Sequence, residues 1–209
     1  MNAATVRATI PGPAGALEAR IDAPANGSGA GTVVVAHPHP LFGGSLDNKV
    51  VQTIARAYVQ CGWRAVRFNF RGVGLSAGTY DEGRGETDDL LAVIEHSAPS
   101  GALALAGFSF GSFVACTVVQ SLHAARTLSS LVLVGTAVSR FPVSTLPAEL
   151  HQRTLVIHGE SDETVPLDDV LRWAQPQNLP VLVIPGASHF FHGQLNVLRY
   201  LVARHVAAA

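Results

Sequence analysis

Cysteine, charge and long apolar runs are scarce in this sequence, and each shortage closes off a class of function. Only two of 209 residues are cysteine, Cys61 and Cys116. They lie far apart, form neither a metal-binding nor a redox pair, and read as reduced core thiols. Charged residues make up 14% of the chain, against roughly 25% in ordinary soluble domains. The formal net charge is -1 and there is no basic tract, so nucleic acid is not expected as a partner. No apolar run approaches the ~20 residues that cross a membrane. The opening "MNAATVRATIPGPAG" has neither the basic start nor the apolar core of a signal peptide, so a cytoplasmic location is expected.

What the sequence does have is 48% hydrophobic residues. With so little charge, many strands and helices must be covered on more than one side. The length suits one compact core, and we expect a single domain over residues 1–209. "TVRATI" and "ALEARID" alternate around "PGPAG", as an antiparallel hairpin does. A flexible loop is expected at Ala25 to Gly31. From there strand and helix patterns alternate. "TVVVAH", "WRAVRFNF", "ALALAGF", "SLVLVGTAV", "TLVIHG" and "PVLVIPG" read as strands. "NKVVQTIARAYVQCG", "ETDDLLAVIEHSA", "FGSFVACTVVQSLHAA", "LDDVLRWAQ" and "FHGQLNVLRYLVARHV" read as helices. Such alternation predicts an α/β fold, a mostly parallel eight-stranded sheet with helices on both faces.

Open sheets of this kind bind ligands beyond the carboxyl ends of their strands. Three of the segments there hold a serine, an acid and a histidine: Ser109, Asp162 and His189. A serine hydroxyl needs a base to take its proton as it attacks. A neutral imidazole suits that task near pH 7, and a carboxylate fixes the imidazole's tautomer. Ser109 lies in Gly107-Phe108-Ser109-Phe110-Gly111, at a strand-to-helix turn. A nucleophile on so sharp a turn is strained and exposed, and its neighbours two places away must be tiny. The amide of Phe110, at the start of the helix, could bind a developing oxyanion. Five residues alone are weak evidence, since an N-cap serine in a glycine-rich turn looks the same.

Further motifs carry a resemblance over nearly the whole chain. "HPHPLFGG" follows the third strand, "FNFRGVGLS" the fourth, the serine turn the fifth, "HGESDETVP" the seventh and "GASHFF" the eighth. In this order they resemble the small, lidless bacterial serine hydrolases of the α/β-hydrolase superfamily. The resemblance implies Ser109 as nucleophile, Asp162 as acid and His189 as base, rather than Glu160, Glu163 or His192. It implies that the loop at His37–Gly44 supplies a second oxyanion amide. Prolines 38 and 40 have no N–H, leaving His39, Leu41 and Phe42; Leu41 is the first choice and His39 the next.

The resemblance also implies that no cofactor is needed. His37 and His39 have a spacing that suits two metal ligands, but no further cluster completes a site, and a structural role in pinning the loop is expected. Arg71 either binds a substrate anion or ties its own turn together, and the second is preferred. Larger relatives carry a cap between the sixth and seventh strands, where this chain has only "SRFPVSTLPAELHQR", so no cap domain is expected. Phe42, Phe110, Phe141, Phe190 and Phe191 are candidates to line the open cleft. The expected activity is hydrolysis of carboxylic esters of small or medium acyl groups. Thioesterase or amidase action by the same residues, or a silent scaffold that binds a small ligand, are the alternatives. A small-molecule acyl substrate is the expected partner, and a homodimer is compatible with the sequence.

Overall fold

The structure, a computed structural model, describes residues 5–25 and 29–208. Asn26, Gly27 and Ser28 of the expected loop lie outside the described residues, as do the first four residues and Ala209. The hairpin is formed by β1 (Thr5–Gly12) and β2 (Gly15–Asp22), paired antiparallel from Thr5–Asp22 to Gly12–Gly15. Then come β3 (Thr32–Ala36), α1 (Lys49–Gln60), β4 (Arg64–Phe68) and α2 (Arg84–Ser97). These are followed by β5 (Leu103–Phe108), α3 (Phe110–Leu122), β6 (Ser130–Val134) and β7 (Thr154–Gly159). The chain closes with α4 (Leu167–Ala174), β8 (Val181–Ile184) and α5 (Leu195–Ala208).

The eight strands form one sheet in the order β1-β2-β4-β3-β5-β6-β7-β8. β2 meets β4 antiparallel, and every pairing from β4 to β8 is parallel. Alternate residues of each central strand enter different cores. Val34, Ala36, Leu103 and Leu105 pack with α2, α3 and α4, while Val33, Val35, Ala104, Ala106 and Phe108 pack with α1 and α5. Because both faces are covered, these strands need apolar residues at every position, which is why they read as continuous apolar runs. The chain leaves β3 toward β4 on one side and returns to β5 on the other. That reversal opens a crevice at the carboxyl ends of β3 and β5.

Several element ends differ from expectation, and α3 stops at Leu122 rather than Ala125. β6 stops at Val134 rather than running through "GTAV", because Gly135 takes φ +54° and turns the chain away. β4 ends at Phe68, after which Asn69 and Phe70 bend toward other partners. α5 begins at Leu195 and not at Phe191, since Phe191 (φ +53°) and Gly193 (φ +75°) cannot lie in a helix. The segment 139–153 holds only a six-residue 3-10 stretch, Ala148–Arg153, and no cap.

Candidate active site

Ser109 occupies the turn between β5 and α3, with φ 55° and ψ -115°. A non-glycine residue rarely adopts that conformation, and it persists only where the surroundings force it. Here the Ser109 amide donates to the Val134 carbonyl at 2.8 Å, while Ser112 Oγ donates to the Gly107 carbonyl at 2.8 Å. The two flanking glycines are required by space. A Cβ on Gly107 would lie 2.5 Å from the Ser112 amide nitrogen and collide with the Gly111 carbonyl. One on Gly111 would lie 2.6 Å from the Ala36 carbonyl carbon and 2.8 Å from the His37 oxygen. Gly107 thus lets the turn close onto the start of α3 and Gly111 lets it nest against the end of β3; Ser109 stands at the helix's N-cap position, but its side chain caps no amide.

Asp162 and His189 sit on the loops after β7 and β8. His189 Nδ1 donates to Asp162 Oδ2 at 2.6 Å, and both residues are buried. Asp162 Oδ1 accepts the amides of Thr164 and Val165 at 2.9 and 2.8 Å. Burial alone would raise the Asp162 carboxyl. The bonds from His189 and the Val165 amide, with the nearby imidazoles, outweigh it and hold the group below the usual aspartate value. Glu160 and Glu163 are exposed, and Glu160 instead accepts the Gly186 amide at 2.8 Å. His192 is also exposed and makes no contact with Asp162. An imidazole committed through Nδ1 to a carboxylate keeps the Nε2 lone pair as a proton acceptor.

Two neighbours of this pair escaped the sequence reading. Phe108 lies against the His189 ring, centroids 4.9 Å apart. Gly135 faces the same ring, and a Cβ there would be 3.2 Å from His189 Cε1. Behind them His158, fully buried on β7, places Nε2 2.9 Å from the Val165 carbonyl and 3.5 Å from Asp162 Oδ2. It was visible only as the first letter of "HGESDETVP". Burial pushes its pKa down, partly offset by the Val165 carbonyl and Asp162.

The loop after β3 is pinned by the histidine that opens it. His37 Nδ1 donates to the Pro38 carbonyl at 2.6 Å, and Nε2 accepts the Phe70 amide at 3.0 Å. Complete burial lowers its pKa to about 4, so the ring is neutral. His39 Nδ1 accepts the Leu41 amide at 3.2 Å, and its ring packs among Phe42, Tyr80 and Phe110. The Leu41 amide is therefore turned to His39, and Leu41 itself is 66% exposed. The Phe42 amide bonds to the His39 carbonyl at 3.1 Å. Of the three amides, only that of His39 makes no hydrogen bond among the described residues. Neither histidine joins a metal-binding group: among the described residues no group of three or more His, Cys, Asp or Glu is arranged to hold a metal ion.

Ser109 and His189 line one cavity of about 530 Å³. Phe42, Phe110, Phe141 and Phe190 also line it. Phe191 does not; it is fully buried in the core beside α1 and α5 and anchors the histidine loop from beneath. Arg71 stays outside the cavity. It makes a two-pronged pair with buried Asp89, Nε at 3.0 Å and Nη2 at 2.8 Å, and its amide bonds to the same carboxylate. It ties its turn to α2, as preferred above. Asn48 and Arg140 line the cavity without having been singled out in the sequence. No helix among the described residues is long and apolar enough to cross a membrane.

Comparison with known proteins agrees with this architecture. Residues 15–141 match the family model for X-Pro dipeptidyl-peptidase (S15 family). The Xanthomonas campestris protein XC6422, an α/β serine hydrolase without a lid, is 35% identical. That likeness covers 100% of this chain and 96% of the other, with a TM-score of 0.87. An α/β serine hydrolase homologue from Coxiella burnetii is 40% identical over 95% of this chain and 96% of its own, with a TM-score of 0.84. The uncharacterized protein RP471 of Rickettsia prowazekii is 32% identical, covering 86% of this chain and 79% of its own.

Proposed function

This chain belongs to the X-Pro dipeptidyl-peptidase (S15) family and to the lidless α/β serine hydrolases, and from that premise we propose that it hydrolyses carboxylic esters of small or medium acyl groups through an acyl-enzyme on Ser109. One observation carries the proposal: a strained serine and a carboxylate-paired imidazole, from different strand ends, line the same cavity. In the reaction Ser109 Oγ bonds to the acyl carbon while His189 Nε2 takes the hydroxyl proton. The tetrahedral intermediate collapses, the bond to the alcohol oxygen breaks, and His189 returns the proton to the departing alcohol. Water, deprotonated by the same nitrogen, then releases the acid. Asp162 orients His189 and stabilises its charged form.

The amides of Phe110 and His39 hold the oxyanion. His39 replaces Leu41 in this role because the Leu41 amide already serves the His39 side chain. A crystal structure of a phosphonylated enzyme checks the assignment. The phosphoryl oxygen should lie about 2.7–3.1 Å from both amides, and an approach to the Leu41 amide instead would reverse it.

Esters are favoured over dipeptides by what the cavity lacks. A dipeptidyl-peptidase must hold a substrate ammonium, for which a carboxylate is the natural partner, and no Asp or Glu is among the residues lining the cavity. Segment 139–153 adds no cap, so the acyl group enters an open, aromatic-walled cleft. The test is a p-nitrophenyl ester panel from acetyl to palmitoyl, beside matched thioesters and amides, with Ser109→Ala as control. Short and medium esters should turn over at least 1000-fold faster with wild type than with the variant. Faster turnover of thioesters or amides would move the activity to that class, and no turnover at all would favour a silent scaffold.

A further inference from the structure

The cavity carries one permanent charge. Arg140 lines it, the other lining side chains are aromatic, small or neutral polar, and no acidic residue is among them. This is notable in a chain where 15 acidic residues outnumber 14 basic ones. Five other arginines are neutralised by carboxylates: Arg20, Arg67, Arg71, Arg84 and Arg172. Arg140 makes no salt bridge and no side-chain hydrogen bond among the described residues. Asp162 does not offset it. That carboxylate is buried behind His189 and occupied by three hydrogen bonds.

The backbone at Arg140 is held in place, while the residue itself is exposed. Its amide and that of Phe141 both bond to the Ala137 carbonyl, at 3.1 and 3.0 Å, in a turn directly after β6. Phe141 stacks on Phe113 with centroids 4.8 Å apart and planes at 14°. An exposed guanidinium carried by this fixed backbone turn, with no protein partner among the described residues and lining a largely apolar cavity, is free to take a ligand's anion through two N–H groups.

We propose that Arg140 is a specificity residue and that the substrates are esters bearing an anionic group, a carboxylate being the simplest, away from the scissile carbonyl. This rests on the ester-hydrolase reading above. It adds that the aromatic walls take the body of the substrate while Arg140 takes its charge. The charge can sit on the acyl part or on the alcohol part, and paired substrates separate the two.

In the acyl arm, the mono-p-nitrophenyl ester of adipic acid is compared with p-nitrophenyl hexanoate. In the alcohol arm, 4-acetoxybenzoate is compared with its methyl ester. At low ionic strength the anionic member of at least one pair should have kcat/KM about threefold to tenfold higher, and 0.5 M salt should erode the difference. Arg140→Gln should bring that ratio to one or below, and Arg140→Glu should invert it. A preference in either arm that follows these substitutions supports the proposal and identifies the charged part. Ser109-dependent turnover of the neutral esters with no anionic preference in either arm overturns the role of Arg140 and leaves the hydrolase reading standing. A preference that survives Arg140→Glu also overturns it. Loss of all turnover together with failure of Ser109 to accept a fluorophosphonate overturns both.

Discussion

At Gly135 a missing methyl group makes room for an imidazole. The backbone there takes φ +54°, and a Cβ would press on His189 Cε1 at 3.2 Å and Nδ1 at 3.3 Å. Gly135→Ala should therefore shift the ring and lower kcat/KM by about 10- to 100-fold, since small misplacements of a reacting group are costly. Unchanged kinetics in a variant with unchanged thermal stability would remove Gly135 from the positioning of His189. This residue was not singled out in the sequence, whereas Ser109, Asp162 and His189 were. The chemistry demands particular side chains at strand ends, and those can be read as letters. Gly135 matters through a backbone angle and the position of a ring far along the chain, which no local pattern encodes. The bond from the Leu41 amide to the His39 side chain was hidden for a related reason. Amide direction is set by the turn around Pro40 and by the His39 side chain, not by the identity of the residue that owns the amide.

Elements carry the strain that single residues display. The turn between β5 and α3 needs two glycines: Gly107 lets it fold tightly onto the start of α3, and Gly111 lets it lie against the end of β3. Gly107→Ala or Gly111→Ala places a methyl group on backbone atoms that cannot swing away. Each should cost more than about 3 kcal/mol, read as a fall in the urea midpoint, while Gly43→Ala, which meets no neighbouring atom and is strained only by its φ of +77°, should cost about 1 kcal/mol. Equal effects at all three positions would contradict the close-approach account. The turn after β4 is held differently, by the Arg71–Asp89 pair. Asp89→Ala strands the Arg71 charge and should cost about 3 to 5 kcal/mol, and replacing both partners with apolar residues should recover much of it. The types and order of all eight strands and five helices were readable from periodicity, because covered strands and amphipathic helices leave different apolar patterns. Their ends were less so. "GTAV" continues the apolar run of β6 although the chain has already turned at Gly135, and "FHGQ" continues the polarity pattern of α5 although Phe191 and Gly193 break the helix.

The whole molecule places its site where the strand order reverses beside β3, with a buried histidine joining the ends of β3 and β4 on one side of it. That histidine links stability to pH. In an unfolded chain an imidazole binds its proton near pH 6.5, but in the fold His37 resists until about pH 4. Between those values the unfolded chain holds the extra proton, so stability is full above the window and is lost as pH falls through it. This group alone contributes about 3 kcal/mol of that loss, and His158, also lowered by burial, acts in the same direction. Urea midpoints between pH 4 and 8 should fall toward acid, less steeply for His37→Asn than for wild type. An identical slope in the variant would contradict the buried neutral assignment. Whether this architecture presents one activated serine is read from the intact mass and peptide map of the protein after brief exposure to a fluorophosphonate. A single adduct at Ser109 is expected in wild type, and none in Ser109→Ala. Absence of an adduct on the folded wild-type protein, or an adduct on any other residue, would contradict it.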